Sequence, residues 1–174
     1  GLLFNEGKLD IEPGVYPGWV KDQKVPGVFS LPFGKVVDSL VFAPGKAFPV
    51  RHPEDLRGKS VGMVRGYAYP ELAPLIASGQ LDRRNGLSEQ QLLSMLAKSR
   101  FDQIIVNKAI AQYHQLKISE YRQLEIGDVI SSYDVSMRIQ PRHAAWVERL
   151  DAALARLKQN GTIERIYAAY GVSL

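Results

Sequence analysis

Ser60-Val61-Gly62-Met63-Val64-Arg65-Gly66-Tyr67-Ala68-Tyr69-Pro70 is the stretch on which the fold turns. Residues 60–64 read as a buried strand, Gly66 supplies a turn, and Pro70 sits where the first turn of a helix accepts a proline. Downstream, Ser88 and Gln91 make a capping box, with Leu92, Met95 and Leu96 as the apolar stripe behind it. Phe101-Asp102-Gln103-Ile104-Ile105-Val106 is a second strand, and Asn107 is placed to cap a helix reaching to about Leu116. Strand, helix, helix, strand and helix in about sixty residues imply α/β crossover units on a partly parallel sheet.

Outward from this centre the character changes. The first third is punctuated by Pro13-Gly14, Pro17-Gly18, Pro26-Gly27, Pro32 with Gly34, and Pro44-Gly45, which predicts short extended pieces rather than helices. Its best strand is 36–42, β-branched and closed by the Pro44-Gly45 turn. After a further extended stretch over 129–139, Trp146, Leu150, Ala153, Leu154 and Leu157 recur at helical spacing up to Asn160-Gly161. Thr162 is then expected to cap a last helix whose buried face is Ile163, Ile166, Tyr167 and Tyr170.

The 174 residues carry 22 Lys and Arg against 18 Asp and Glu, a formal charge of +4. No run of five like charges occurs, which points away from nucleic acid as a partner. Cysteine is absent, excluding disulfides, thiolate zinc sites, iron–sulfur clusters and a cysteine nucleophile. No apolar stretch approaches the roughly eighteen residues of a membrane span. The first residues, Gly1-Leu2-Leu3-Phe4-Asn5-Glu6, lack the basic start and apolar core of a signal peptide, so an exported protein has lost its leader.

Catalytic and metal motifs fail on context. Gly58-Lys59-Ser60-Val61-Gly62 matches G-x-S-x-G, but Ser60 opens a strand instead of following one, the reverse of a nucleophile elbow. Gly58-Lys59-Ser60 also has the ending of a phosphate loop, yet position 53 is proline where that loop needs glycine. His52, His114 and His143 are scattered, and no His pair or acidic rhythm suits a metal. Neither a metal nor another cofactor is therefore expected. Asn160-Gly161-Thr162 fits a glycosylation acceptor, but it serves equally as a helix stop and cap. One stretch could bind a ligand: a helix starting after Tyr69 would offer free N–H groups to an anion, with Arg65 beside it and Tyr67 and Tyr69 as walls.

The order of the pieces resembles the family 3 extracellular solute-binding proteins of bacterial ABC transporters, of the polar-amino-acid-binding type. The likeness runs through Gly7-Lys8-Leu9-Asp10, Val28-Phe29-Ser30-Leu31-Pro32-Phe33, and Pro53-Glu54-Asp55-Leu56-Arg57-Gly58-Lys59-Ser60-Val61-Gly62 leading to Gly66. It continues with Leu96-Ala97-Lys98-Ser99-Arg100-Phe101-Asp102, residues 150–157, Gly161-Thr162-Ile163 and the terminal Tyr170-Gly171. The resemblance implies a type II-like periplasmic binding fold: two α/β lobes joined by a two-strand hinge, with the ligand held between them. Residues 1–45 and 134–174 would form the first lobe, and 46–133 the inserted second lobe with the hinge strands at its ends. Family members carry two strand–helix units before the Gly7 motif. At about 30 residues per unit, the first lobe is expected to lack about 60 residues. A fragment, a chain seen in part, or a protein completed by a partner through dimerisation or strand exchange would each account for this.

By the same resemblance, amino-acid binders place an arginine where this chain has Gln23 and an acid where it has Asn107. Replacement of both charged partners by neutral amides argues against ordinary amino-acid recognition. The implied site is Tyr16, Trp19 and Gln23 from one lobe, with Arg65, Gly66, Tyr67, Ala68, Tyr69 and Asn107 from the other. The implied role is a periplasmic, non-enzymatic protein that closes on a small polar solute and delivers it to an ABC transporter permease. Two alternatives stay open. One is a cyclohexadienyl-dehydratase-like enzyme using Glu12 or Glu71 as its acid on prephenate or arogenate, and the other is the ligand-sensing module of a signalling system.

Overall fold

The alternation of apolar residues in the central strands gives the sheet two buried faces. In the computed structural model, which describes residues 1–172, β4 (Ser60–Val64) lies between parallel neighbours β5 (Asp82–Gly86) and β6 (Gln103–Asn107). Antiparallel β3 (Gly34–Phe42) pairs with β6, setting Asp38 opposite Asn107 and Phe42 opposite Gln103. Leu40, Phe42, Val61, Met63 and Ile105 go to one face, where Leu72 and Leu75 from the α2 region (Ala73–Ala77) join them. Val41, Val64, Ile104 and Val106 go to the other, covered by Leu92, Leu93 and Leu96 of α3 (Glu89–Ala97) and Ala111 of α4 (Lys108–Lys117). The α3 helix approaches the sheet closely. A Cβ on Gly86 would fall 2.6 Å from Leu92 Cδ2, and one on Gly62 would fall 2.8 Å from Ile104 Cγ2, so a side chain at either position would require its neighbour to shift.

Contacts divide the chain into two compact units, 1–36 with 133–174 and 37–132. The chain passes between them inside β3 and inside β7 (Glu125–Ile139). The sequence reading set these boundaries at 45/46 and 133/134; the first passage falls earlier, within β3 itself.

The discontinuous unit contains α1 (Leu2–Asn5), β1 (Ile11–Val15), β2 (Val28–Phe29), the end of β7, α5 (Trp146–Gln159) and α6 (Thr162–Ala169). Both β1 and β2 pair antiparallel with β7, Ile11 and Val28 each opposite Ile139. Its centre is polar. The Arg138 side chain is 0% exposed, forms an ion pair with Glu12 at 2.8 Å, and donates to Gln23 Oε1 at 3.0 Å and to the Pro26 carbonyl at 2.9 Å. It also donates to the Val25 carbonyl and lies 3.9 Å over the Phe4 ring. Buried Gln140 ties the chain ends of this unit together by donating to the Phe4 and Leu9 carbonyls.

Several sequence expectations need correction. No helix starts at Pro70: residues 65–72 are turns and extended chain, and α2 begins at Ala73 with Pro74 in its first turn. Gly161, at φ 68°, is the N-cap of α6, and Thr162 is its first helical residue. In α5 and α6 only Leu154 and Ile163 are buried, whereas Ile166 and Tyr170 are 54% and 58% exposed. Periodicity locates an apolar face but does not say what covers it. Residues 2–5 form a short helix within the segment read as wholly extended, and β5 was not anticipated at all. Its sequence, Asp82-Arg83-Arg84-Asn85-Gly86, is that of a polar edge strand.

Candidate functional site in the continuous unit

The order β6-β4-β5 puts a reversal of strand order at β4, and the carboxyl ends of these strands are the candidate site. The chain leaves β4 for β5 on one side, then returns across β4 to β6 on the other. Loops diverge at such a reversal, leaving space that neither helix layer fills, and α/β proteins bind ligands there. The turn after β4 carries Arg65, Gly66 and Tyr67, the α3 entrance carries Ser88 and Glu89, and β6 ends at Asn107.

Two carboxylates sit among these groups. Asp38, on β3 opposite Asn107, is 8% exposed and accepts a hydrogen bond from Ser131 Oγ at 3.1 Å. Half-buried Glu89 accepts from the Asn107 backbone N–H at 2.7 Å through Oε1. Burial pushes both carboxyl groups above their ordinary values. Glu71 raises Asp38 further and Asp38 does the same to Glu89, while their hydrogen bonds act the other way. The Tyr67 and Tyr69 hydroxyls are likewise pushed up by burial and by the fields of the same two carboxylates. Asp38, Glu89, Tyr67 and Tyr69 are thus one electrostatic cluster. Among the described residues, no lysine, arginine or histidine forms an ion pair with Asp38 or Glu89.

Arg83, which the sequence reading overlooked, fixes the turn of this site. Its Nη2 donates to the Val64 carbonyl at 2.8 Å and the Tyr67 carbonyl at 2.9 Å, and its Nε donates to Asn85 Oδ1. The guanidinium centre lies 5.9 Å from the Tyr69 ring centroid. Asp38, Glu89 and Ser131 were also missed. Asp38 was legible only as an interruption in an apolar strand, and Glu89 only as an acidic residue in a helix first turn.

The predicted residues of this unit fare differently. Arg65 and Ala68 are exposed, and among the described residues the Arg65 guanidinium makes no hydrogen bond or ion pair. Gly66 takes a left-handed φ of 83°, and Tyr67 is 51% exposed. The Tyr67 N–H already donates to the Val64 carbonyl, so no free run of helix-start amides exists for an anion. Tyr69 is 4% exposed within the core, and among the described residues its buried hydroxyl has no hydrogen-bond partner. Asn107 does cap α4, its Oδ1 accepting from Ala109 N–H at 2.9 Å and Ile110 N–H at 3.4 Å. That role commits the side-chain oxygen and leaves its amide hydrogens.

In the discontinuous unit, Tyr16 stacks on Tyr133 at 4.7 Å between centroids, and Trp19 meets them edge-on at 5.8 and 5.6 Å. Gly18 permits this: a Cβ there would lie 2.4 Å from the Tyr16 ring. Trp19 remains 42% exposed. Gln23 is engaged by Arg138 and by Asn5 Nδ2, at 3.4 Å, so its oxygen is committed within this unit. Glu12, one of the two candidate acids, is committed to Arg138. Among the described residues no group of three His, Asp or Glu side chains is arranged to hold a metal ion, and no helix is long and apolar enough to cross a membrane.

Two α/β units, with the chain passing between them inside β3 and inside β7, give a fold like that of the periplasmic binding proteins. Solved structures bear this out. The chain is similar to the GluR0 ligand-binding core in complex with L-glutamate (TM-score 0.78, 17% identity, 97% of this chain and 75% of that one). A histidine kinase sensor domain with similarity to periplasmic binding proteins matches at TM-score 0.77 and 20% identity, over 99% and 74% of the two chains. An amino acid ABC transporter substrate-binding protein from Streptococcus pneumoniae bound to L-arginine matches at TM-score 0.74 and 16% identity, over 97% and 70%. No protein-family model matches the sequence, and no curated protein matches it.

Proposed function

We propose that this protein captures a small polar solute through a cationic group of that solute, binding it without turnover and presenting it to a membrane transporter of the ABC type in the periplasm. The observation that carries the reading is the pair Asp38 and Glu89, desolvated at the carboxyl ends of the sheet with no protein cation to neutralise them. Desolvated carboxylates without a counter-ion destabilise a fold, and an ammonium or guanidinium group arriving from solution relieves that cost. Tyr67 offers an aromatic face to the same cation, and Arg83 keeps the turn that carries it in place. Similarity in fold to proteins bound to arginine and glutamate supports a solute of amino-acid size.

The test is a thermal-shift and calorimetric screen of the full chain with amines, basic and neutral amino acids, and organic acids. A cationic solute is expected to stabilise the protein by about 2.7 kcal/mol at a hundredfold excess over its Kd. Both Asp38→Asn and Glu89→Gln should remove that response. A response to organic acids alone, or a cation response that survives both substitutions, would overturn the assignment. Recovery of the solute unaltered after prolonged incubation checks that binding is not followed by reaction.

A further inference from the structure

We propose that the opposite end of the same sheet, at the start of β4 and β6, is a second binding site, for a small multiply charged anion bearing phosphate or carboxylate oxygens. A pocket of about 840 Å³ lies there, within the continuous unit, and Lys46, Lys59, Arg84, Arg100 and Asp102 are the ionisable groups that line it. Its size is that of a pocket for a small molecule of drug or metabolite dimensions. Four cations thus line the pocket against one carboxylate.

The local pairing leaves part of this charge unanswered. Asp102 reaches Lys46 at 3.5 Å, and Asp82 takes Arg84 at 2.7 Å. Lys59 has only the Phe48 ring, 4.8 Å from its Nζ, and the Arg100 guanidinium makes no hydrogen bond or ion pair among the described residues. The two pairs that do form are more than half exposed, so they are weak and free to re-form around an incoming anion. The end of α3 also faces this pocket, and its carbonyls would repel an anion were they bare. They are answered: the Ser99 N–H donates to the Leu96 carbonyl and the Arg100 N–H to the Met95 carbonyl, both at 2.9 Å.

That cap is made by a strained residue. Ser99, at φ 54°, is the non-glycine residue with positive φ among those described, at a helix end where glycine is the relaxed choice. Ser99 lines the pocket next to Arg100, so the strained position is part of its wall. The Gly58-Lys59-Ser60 segment, which fails as a phosphate loop, fails for a visible reason: the Gly58 and Lys59 N–H groups are used by the Gln80 and Leu56 carbonyls. Recognition here therefore rests on side chains, not on a backbone cradle.

Titration calorimetry of the full chain at low ionic strength, with inorganic pyrophosphate and with citrate as probes and acetate as the monovalent control, tests the site. Saturable binding of pyrophosphate or citrate is expected, the tighter of the two identifying phosphate or carboxylate chemistry. The double variant Lys59→Gln with Arg100→Gln should weaken it at least about tenfold, the scale of losing charge-assisted hydrogen bonds. Asp102→Asn, which removes the one carboxylate of the lining, should tighten it. Opposite signs from neighbouring substitutions exclude a general loss of structure. No saturable binding, acetate binding as tightly as the two probes, or an affinity that none of these substitutions changes would overturn the proposal. Because Asp38 and Glu89 take no part, the response to cationic solutes should persist in both variants, whichever way this test falls.

Discussion

The two units are stabilised by different physics. The continuous unit is a doubly covered sheet whose two faces each bury a contiguous apolar cluster. Its buried polar groups are Asp38, Ser39, Gln103 and Ser131, and Gln103 donates to the Ser60 carbonyl at 2.6 Å. The discontinuous unit has no comparable apolar centre among the described residues. It is gathered around one fully buried guanidinium that bonds to Glu12, Gln23 and two backbone carbonyls. Apolar packing tolerates small adjustments, whereas a buried ionic network holds only while every member is in place. The first unit should therefore yield gradually to mutation and the second abruptly.

Arg138→Met offers the strongest way to break this contrast. It keeps much of the buried volume but leaves Glu12 and the Val25 and Pro26 carbonyls unanswered. A loss of about 3–5 kcal/mol is expected, confined to the discontinuous unit. Hydrogen exchange should show lost protection in β1 and the end of β7 with β4 and β6 unchanged; equal loss in both would abolish the distinction. Gly86→Ala should act in the other unit and cost less, about 1–3 kcal/mol, because Leu92 must move from its seat against the sheet. Denaturant melts with exchange monitored at β5 and α3 would locate that loss.

The smallest expected effect sharpens the comparison through pH. Asp38 and Glu89 have folded-state pKa values above their unfolded ones. The folded unit then holds more protons than the unfolded chain between those values, so its stability falls as pH rises through that window. Asp55 works in the opposite sense and at lower pH: the His52 and Arg51 N–H groups hold its carboxyl below the ordinary value, and that contribution is lost on acidification. Asp38→Asn should flatten the decline above the ordinary carboxylate range and leave the acid limb alone. Denaturant melts of the variant and the parent chain across this range would show it, and an unaltered slope would mean that Asp38 carries no desolvation cost.

What the sequence revealed follows the same division. Strands β4 and β6 and the Ser88 and Asn107 caps were legible because local chemistry determines them: apolar runs, and side-chain oxygens bonding N–H groups two or three residues away. Strand β5 was hidden because an edge strand needs only one good neighbour, and Asp82-Arg83-Arg84-Asn85-Gly86 shows none of the apolar content that burial demands. The carboxylate pair was hidden for another reason. Asp38 and Glu89 are far apart in the chain and come together through the register of β3 on β6 and a bond to the Asn107 N–H. Gln23 was read from its place in a motif, where nothing local discloses that Arg138, remote in sequence, occupies its oxygen.

The bond from Ser131 to Asp38 has a topological consequence. It joins β3 and β7 close to where residues 37 and 132 mark the limits of the continuous unit. The two ends of that unit thus emerge from adjacent strands, which lie about 5 Å apart in a sheet. A segment whose ends meet in this way behaves as a cassette: it can be excised, closed by a linker of a few residues, or transplanted into another chain at a single point. Residues 37–132 are built as a guest in the chain that carries them, and their carboxylate site would travel with them.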